Sequence, residues 1–273
     1  MPNGHVYVHG TEPDEQQRLT RLNTLINDAC LRALSPRPGE RVLDIGAGLG
    51  QMTRAIARAA GARVIGIERS DEQIAEALRQ ACADGEEALL DLRPGDAMDP
   101  PLTPAEWGSF DAAHARFILE HVPDPLAVVR AMVRAVRPGG RIVLADDDHD
   151  ILRLFPEPPG FAAVWRVYQR TYDRIGADPV VGRRLVALLH AAGAKPRRNQ
   201  GLFFGSCSGH PDFAAYVENI ARILEGARAT ILAVGETDEA GLDAAVTSLR
   251  VWAGRPDAAI WYSMAWAEGE KPA

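Results

Sequence analysis

No stretch of the 273-residue chain approaches the roughly 18 consecutive apolar residues that a membrane span requires. Cysteine is scarce: Cys30, Cys82 and Cys207 are odd in number, widely separated and outside any C-x-x-C pair. Such spacing encodes neither a disulfide framework nor a zinc cluster and assigns the three to packing. Lysine is nearly missing, Lys195 and Lys271 being the two present. Basic residues are also outweighed, 30 against 37 acidic, and a net charge of -7 suits a phosphate backbone poorly, so nucleic acid is not an expected partner. The opening MPNGHVYVHGTEPDEQQ lacks the charged-then-apolar order of a signal peptide, which predicts a cytoplasmic protein. Missing too are G-x-S-x-G, H-E-x-x-H and a P-loop lysine pattern, and with them three common routes to catalysis.

What is present is ordinary globular composition, 47% hydrophobic and 25% charged, with no low-complexity linker and no repeat. From Arg41 to about Asp147 short β-branched runs alternate with helix-length amphipathic runs, the signature of a parallel sheet with crossover helices. Strands are expected at Arg41 to Ile45, Arg63 to Glu68, Ala88 to Arg93, Phe110 to Ala115 and Arg141 to Ala145. Helices are expected from Gly50, after Ser70 in an S-D-E-Q capping box, and after Asp124 with Pro125 at the first position, ending in Arg137 to Gly140. Leu19, Leu22, Ile26, Ala29 and Ala33 mark a leading helix. Beyond Asp150 come helical stretches at Phe161 to Ile175 and Gly182 to Ala192, then a helical pair, with strands at Pro196 to Phe204 and Ala259 to Ala267. The expected organisation is a leading helical segment (1–35), a sheet core (36–150) and helical additions that carry the last two strands (151–273).

The most informative run is Val42-Leu43-Asp44-Ile45-Gly46-Ala47-Gly48-Leu49-Gly50, a buried strand entering three alternate glycines and then a helix. Glycine lets the backbone turn sharply and approach a ligand, and a helix N-terminus offers unpaired N–H groups. A nucleotide-like ligand fits. A dinucleotide fingerprint would need glycine where Gln51 stands, and Asp44 would sit poorly beside a pyrophosphate, so NAD and FAD are disfavoured.

Asp44, Gly46, Gly48 and Gly50 match D-x-G-x-G-x-G, and here the chain resembles the class I S-adenosylmethionine-dependent methyltransferases of small-molecule type. The resemblance extends to Glu68 at the second strand end, to Pro94-Gly95-Asp96-Ala97-Met98 after the third, to Phe110–Pro125 and to RPGGRIVLAD before the acidic run. It covers about residues 36 to 148, and Trp261 to Pro272 looks like the family's last strand. It implies an α/β, Rossmann-like, doubly wound seven-stranded sheet whose last strand is antiparallel, with an added helical lid. It also implies S-adenosyl-L-methionine as cofactor. Asp44, Gly46, Ala47, Gly48 and Gly50 would form the loop beneath it, Glu68 would accept the ribose hydroxyls, Asp96 would accept from the adenine amino group with Met98 packed on the ring, and Arg69, Ala97 and Ala115 are further cofactor-binding candidates. The segment Tyr7 to Leu19 resembles a family lid, which carries Arg18 and Tyr7 over as candidates toward the methionine carboxylate.

Each candidate has a structural alternative: Glu68 pairing with Arg63 or Arg69, Asp96 as a turn-former, Arg18 and Tyr7 as surface and core residues. Candidate catalytic groups are His121, near where the methyl should emerge, and Asp146 and His149 in the run Asp146-Asp147-Asp148-His149-Asp150. Crowded carboxylates at the end of a parallel strand can acquire a base-like pKa; loop solvation and capping is the favoured reading of the run, and no metal is expected. The aromatics Phe155, Phe161, Trp165, Tyr168, Tyr172, Phe203, Phe204, Phe213, Tyr216 and Trp252 gather in the additions, as an apolar acceptor pocket would require. The expected activity is methyl transfer to oxygen, nitrogen or carbon of a small, fairly apolar organic acceptor. A cofactor-binding scaffold without transfer and a nucleotide-dependent oxidoreductase stand as alternatives.

Overall fold

The structure, a computed structural model, describes residues 13–174 and 176–273. Tyr7 and Ile175, both named above, lie outside them.

Apolar residues dominate β1 (Val42–Ile45) and β2 (Val64–Glu68), which are buried except for a half-buried Glu68, as strands covered on both faces must be. They pair in parallel with each other, β2 with β3 (Leu90–Pro94), and β1 with β4 (Phe110–Arg116), which pairs in parallel with β5 (Val136–Asp146). Two strands remain on the other edge, β7 (Lys195–Phe203) and β10 (Ser263–Glu270). The order is β3-β2-β1-β4-β5-β10-β7, with β10 antiparallel to both neighbours. This is the expected Rossmann-like sheet with its antiparallel last strand.

One face carries α1 (Pro13–Leu34) and α2 (Gln51–Ala60), whose Leu22, Ile26, Cys30, Met52 and Ile56 join one core with the lid. The opposite core holds Val128, Val129 and Met132 of α4 (Pro125–Ala135) and Leu185, Leu188 and Leu189 of α6 (Leu185–Ala191). Between β2 and β3, α3 (Asp71–Ala83) starts as expected: Ser70 Oγ accepts the Gln73 N–H at 3.2 Å. The reciprocal half of the capping box differs, because the Ser70 N–H donates instead to Glu68 at 2.9 Å.

Several boundaries move. Helix α4 stops at Ala135, and Arg137 to Gly140 form a bulged start to β5, pinned by Lys271 through the Gly139 and Gly140 backbone, in place of a helix exit. The stretch from Phe161 is α5 (Phe161–Arg170) followed by a 3-10 turn, Tyr172–Arg174. The stretch from Gly182 opens with a 3-10 turn, Val181–Arg184, before α6. The helical pair is three helices, α7 (Phe213–Gly226), α8 (Arg228–Val234) and α9 (Glu239–Trp252). The last strand splits at Tyr262: β9 (Ala259–Trp261) leaves the main sheet to join β6 (Arg153–Phe155) and β8 (Ser206–Cys207) in a small sheet of its own. Cys30 is buried, but Cys82 and Cys207 are exposed and do not pack as expected.

Gly66 shows how tightly β2 is packed between its neighbours: a Cβ there would lie 2.7 Å from Leu92 Cδ2 on the paired β3 and 2.9 Å from Ala47 Cβ in the loop after β1. Overpacking of a filled interior is relieved only by strain. Gly66→Val should therefore cost about 1 to 3 kcal/mol, read as a lower midpoint in chemical denaturation.

Candidate cofactor and acceptor site

Three strand tips are tied to one another by the backbone. The N–H groups of Gly46 and Ala47 donate to Ile67 O (2.8 and 3.0 Å), and the N–H of Gly95 donates to Glu68 O (2.9 Å). Gly46 takes a φ of +73°, and a Cβ there would lie 2.5 Å from Ile118 Cδ1, so only glycine lets this loop pass beneath the residues leaving β4. Above the joined tips opens a cavity of about 200 Å³. Its walls include Asp44, Gly46, Ala47, Gly48, Glu68, Arg69, Asp96, Ala97, Met98 and His121 from among the sequence candidates.

Glu68 is held by three backbone donors: Oε2 accepts from Gly48 at 2.9 Å, and Oε1 from Arg69 (2.8 Å) and Ser70 (2.9 Å). The carboxylate bridges the glycine loop and the start of α3, and it forms no ion pair with Arg63, which donates to Leu90 O. Asp96 is exposed on the cavity wall, and its Oδ1 accepts the Met98 N–H at 2.8 Å, a turn-forming bond. Asp44 is a carboxyl group inside a buried strand and needs hydrogen-bond partners to be tolerated there. It has two: Thr53 Oγ1 donates at 2.6 Å, and His114 Nδ1 at 2.8 Å. His114 lines the cavity, and its other nitrogen, Nε2, is buried without a hydrogen-bond partner.

The far wall comes from α1 and the β4 exit. Leu19, Leu22 and Asn23 face Arg116, Phe117 and Ile118, and Arg116 donates to Asn23 Oδ1 at 2.7 Å. Phe117 holds a φ of +55°, an uncommon backbone conformation for a bulky residue. The turn that follows is fixed by Asp146, which is fully buried: Oδ2 accepts from Ile118 (3.1 Å) and Leu119 (2.8 Å), and Oδ1 from Asp147 (3.0 Å).

The candidates divide accordingly. Gly50 caps α2 and packs toward Ala77 and Leu90, outside the cavity walls. Ala115 is fully buried in the sheet core. Asp146 organises backbone, and Arg18 is buried in α1, where it binds Glu15 through two nitrogens (2.7 and 2.6 Å) and Asn219 at 2.9 Å. Sequence reading missed His114, Gln73 and Arg116 at the cavity and Thr53 behind Asp44; the pattern of β4 places His114 in the strand and gives no sign that Asp44 is its neighbour across the pair.

The acidic run fans out. Asp148 caps the turn that follows, as expected, by accepting the Asp150 N–H, and Asp148 and Asp150 also pair with Arg183, Asp148 through both oxygens (2.7 and 2.6 Å). His149 points inward, with Nε2 donating to Glu120 Oε2 at 3.0 Å; Tyr172 OH donates to the same oxygen (3.0 Å) and lies 2.9 Å from Tyr168 OH. His121, on the large cavity, stacks on Tyr172 with ring centres 6.0 Å apart. The donor atoms of Glu120, Asp147 and His149 lie within 4.8 Å of one another, close enough in principle to share a cation, although the His149–Glu120 bond already satisfies two of the three.

Charge in this cluster is unevenly distributed. Burial raises the Glu120 carboxyl, but positive charge on His121 and His149 outweighs that and brings it down to about 2. Burial, reinforced by the negative Glu120, lifts Asp147 to about 6 and pushes Asp146 up as well. Burial lowers His121, while Glu120 overcomes burial and raises His149.

A family model described as a methyltransferase domain matches residues 43–144. Among curated proteins the chain is similar to the ubiquinone biosynthesis O-methyltransferase of Ralstonia nicotianae, 32% identical over 180 residues that cover 66% of this chain and 73% of that protein. It is also similar to the 27-O-demethylrifamycin SV methyltransferase of Amycolatopsis mediterranei, 35% identical over 155 residues, 57% of this chain and 54% of that one. Among solved structures, the [4+2]-cyclase SpnF is 25% identical with a TM-score of 0.56, covering 89% of this chain and 79% of the other. The chain belongs to the class I S-adenosylmethionine-dependent methyltransferases. It spans about half the length of the first curated relatives it matches, 52% and 54%. Among the described residues no helix is long and apolar enough to cross a membrane.

A carboxyl whose folded pKa exceeds its ordinary value favours the folded state while protonated, so Asp147 supports stability below its ordinary 3.8 and that support is lost as pH rises toward 6. Relative to wild type, Asp147→Asn should gain on the order of 1 to 3 kcal/mol between pH 4 and pH 7, measured by urea unfolding at the two values.

Proposed function

We propose that the chain is a methyltransferase that takes its methyl from S-adenosylmethionine and delivers it to a small, fairly apolar organic acceptor. The observation that carries this reading is the convergence of the Gly46–Gly48 loop, Glu68 and Asp96 on one cavity. The residues present fit the cofactor: a fixed carboxylate suits a ribose diol, Asp96 with Ala97 and Met98 suits an adenine edge and face, and the unpartnered Nε2 of His114 supplies a polar contact between them and the β4 exit.

When bound, S-adenosylmethionine supplies a methyl on a sulfonium, whose thioether leaving group needs no protonation. The chain is then left with alignment, exclusion of water and, for an acceptor that holds its proton, a base. Leu19, Leu22, Phe117 and Ile118 close the cavity with apolar surface, and the Arg116–Asn23 bond ties the covering helix to the strand exit. Asp146 keeps that exit in place, so its contribution is to geometry; Arg18, bound to Glu15 and Asn219, braces α1 against α7. His121 is the titratable ring on the cavity wall nearest the exit, and it is the first candidate to meet an acceptor.

Both curated relatives carry O-methylation in their names, which favours oxygen over nitrogen and carbon as the atom methylated. A second reading deserves its own arm: SpnF shares the fold under the name of a cyclase, and fold does not dictate chemistry. Transfer of labelled methyl into an extract of candidate metabolites separates the two. For binding, calorimetry should show S-adenosylhomocysteine taken up and NADH refused. Glu68→Ala should lose about 1 to 3 kcal/mol of that affinity, and Asp96→Ala a smaller part; equal affinity in all three proteins would remove the strand tips from the site.

A further inference from the structure

A second, smaller cavity of about 40 Å³ lies under the lid. Its walls include His149, Trp165 of α5, Phe204 just after β7, Tyr216 of α7, and two groups at the sheet edge, Asp147 and Tyr262. Nothing in the reading above uses it. Tyr262 is 9% exposed and its hydroxyl has no hydrogen-bond partner; Oδ1 of Asp147 is likewise buried and unpartnered. The hydroxyl and the Asp147 carboxyl face each other closely enough for the hydroxyl to lower that carboxyl and for the carboxyl to raise the hydroxyl, but they stop short of full hydrogen-bond geometry. Two buried polar atoms left open at one cavity are costly unless something fills the gap.

Both groups are built into place. The backbone of Asp147 is fixed on either side, its N–H donating to Asp146 at 3.0 Å and its carbonyl accepting from Gly182 at 2.9 Å. A Cβ on Gly182 would come within 2.7 Å of that carbonyl, so the loop has no slack there. Tyr262 is fixed by its own carbonyl, which accepts the Phe204 N–H at 2.8 Å.

We propose that Asp147 and Tyr262 form a hydroxyl-gripping subsite for the acceptor, and hence that the acceptor carries an alcohol or phenol group. A hydroxyl answers both vacancies at once: it donates to Asp147 and accepts from Tyr262. An ammonium can only donate, and an ether can only accept. Of the other polar groups on the lining, His149 is held through Nε2 by Glu120 at 3.0 Å and the Asn219 oxygen is taken by Arg18 at 2.9 Å, so the buried polar atoms left open there are those of Asp147 and Tyr262. The volume of about 40 Å³ admits a hydroxyl and the edge of the ring or chain that bears it. Charged groups around the pair are Glu120, His149, Arg18 and Asp146, and none of them reaches the open oxygen of Asp147 by a hydrogen bond.

This subsite rests on the methyltransferase reading only for the word acceptor; its chemistry is tested without cofactor. The full chain is titrated with 4-fluorophenol and with 4-fluorotoluene, followed by fluorine NMR, in wild type, Tyr262→Phe and Asp147→Ala. The phenol should bind about tenfold more tightly than the toluene. Tyr262→Phe, which removes one oxygen and preserves the ring, should erase most of that preference while leaving the toluene unchanged, and Asp147→Ala should do the same. Equal binding of the two probes, or a preference that survives both substitutions, overturns the proposal. So does tight binding of Mn²⁺ that is lost in His149→Ala, since Asp147 would then belong to a metal. Failure of S-adenosylhomocysteine to bind would sink the methyltransferase reading and leave the fluorophenol result standing on its own.

Discussion

Two carbonyl oxygens at the end of β2, those of Ile67 and Glu68, hold the site together. They accept the N–H groups of Gly46, Ala47 and Gly95 and so bind the loops that leave β1 and β3 to the tip between them. Once those loops are tied, Glu68 has one place to lie, with its carboxylate against the Gly48 N–H and the first residues of α3. The glycines follow from this constraint. Gly46 must bend under Ile118, and the chain can do so only in a conformation that other residues resist.

A similar economy governs the acidic run after β5. Five successive residues at a strand end would repel if they shared one face, and the chain sends them apart. Asp146 turns inward to backbone donors, Asp147 to the lid cavity, His149 to Glu120, and Asp148 and Asp150 to Arg183. The result is a buried network in which Glu120 keeps its charge because two imidazoles face it, and Asp147 gives up some of its acidity because it is buried and faces a charged Glu120. Arg18, whose charge also reaches His121 and Asp147, connects this network to α1 and thus to the cover of the larger cavity.

The sheet was readable from sequence because its information is local. A buried strand running into alternate glycines, an acid at the next strand end and an S-D-E-Q cap each carry their meaning within a few residues. Apolar runs placed β1, β2 and β4, and the resemblance to the family implied the pairing of the last strands. What could not be read depended on distant partners. The split of the last strand at Tyr262 follows from β6 and β8 arriving beside β9, and the bulge at Arg137 to Gly140 from Lys271 crossing over it. The same holds in the site. Glu68 and Asp96 were legible from their positions at strand ends, whereas the Asp44–His114 contact joins residues 70 apart in the chain. Asp146 looked like a base from its neighbours in sequence and acts on backbone N–H groups 27 and 28 residues away.

The claim on which the rest depends is that one adenosine is shared by the first three strand tips. Crystals grown with S-adenosylhomocysteine test it most directly. The account predicts ribose hydroxyls on the Glu68 carboxylate and the adenine amino group at Asp96, with the thioether sulfur facing His121. Density for the ligand anywhere else, or a ribose that leaves Glu68 bound to backbone alone, would contradict it.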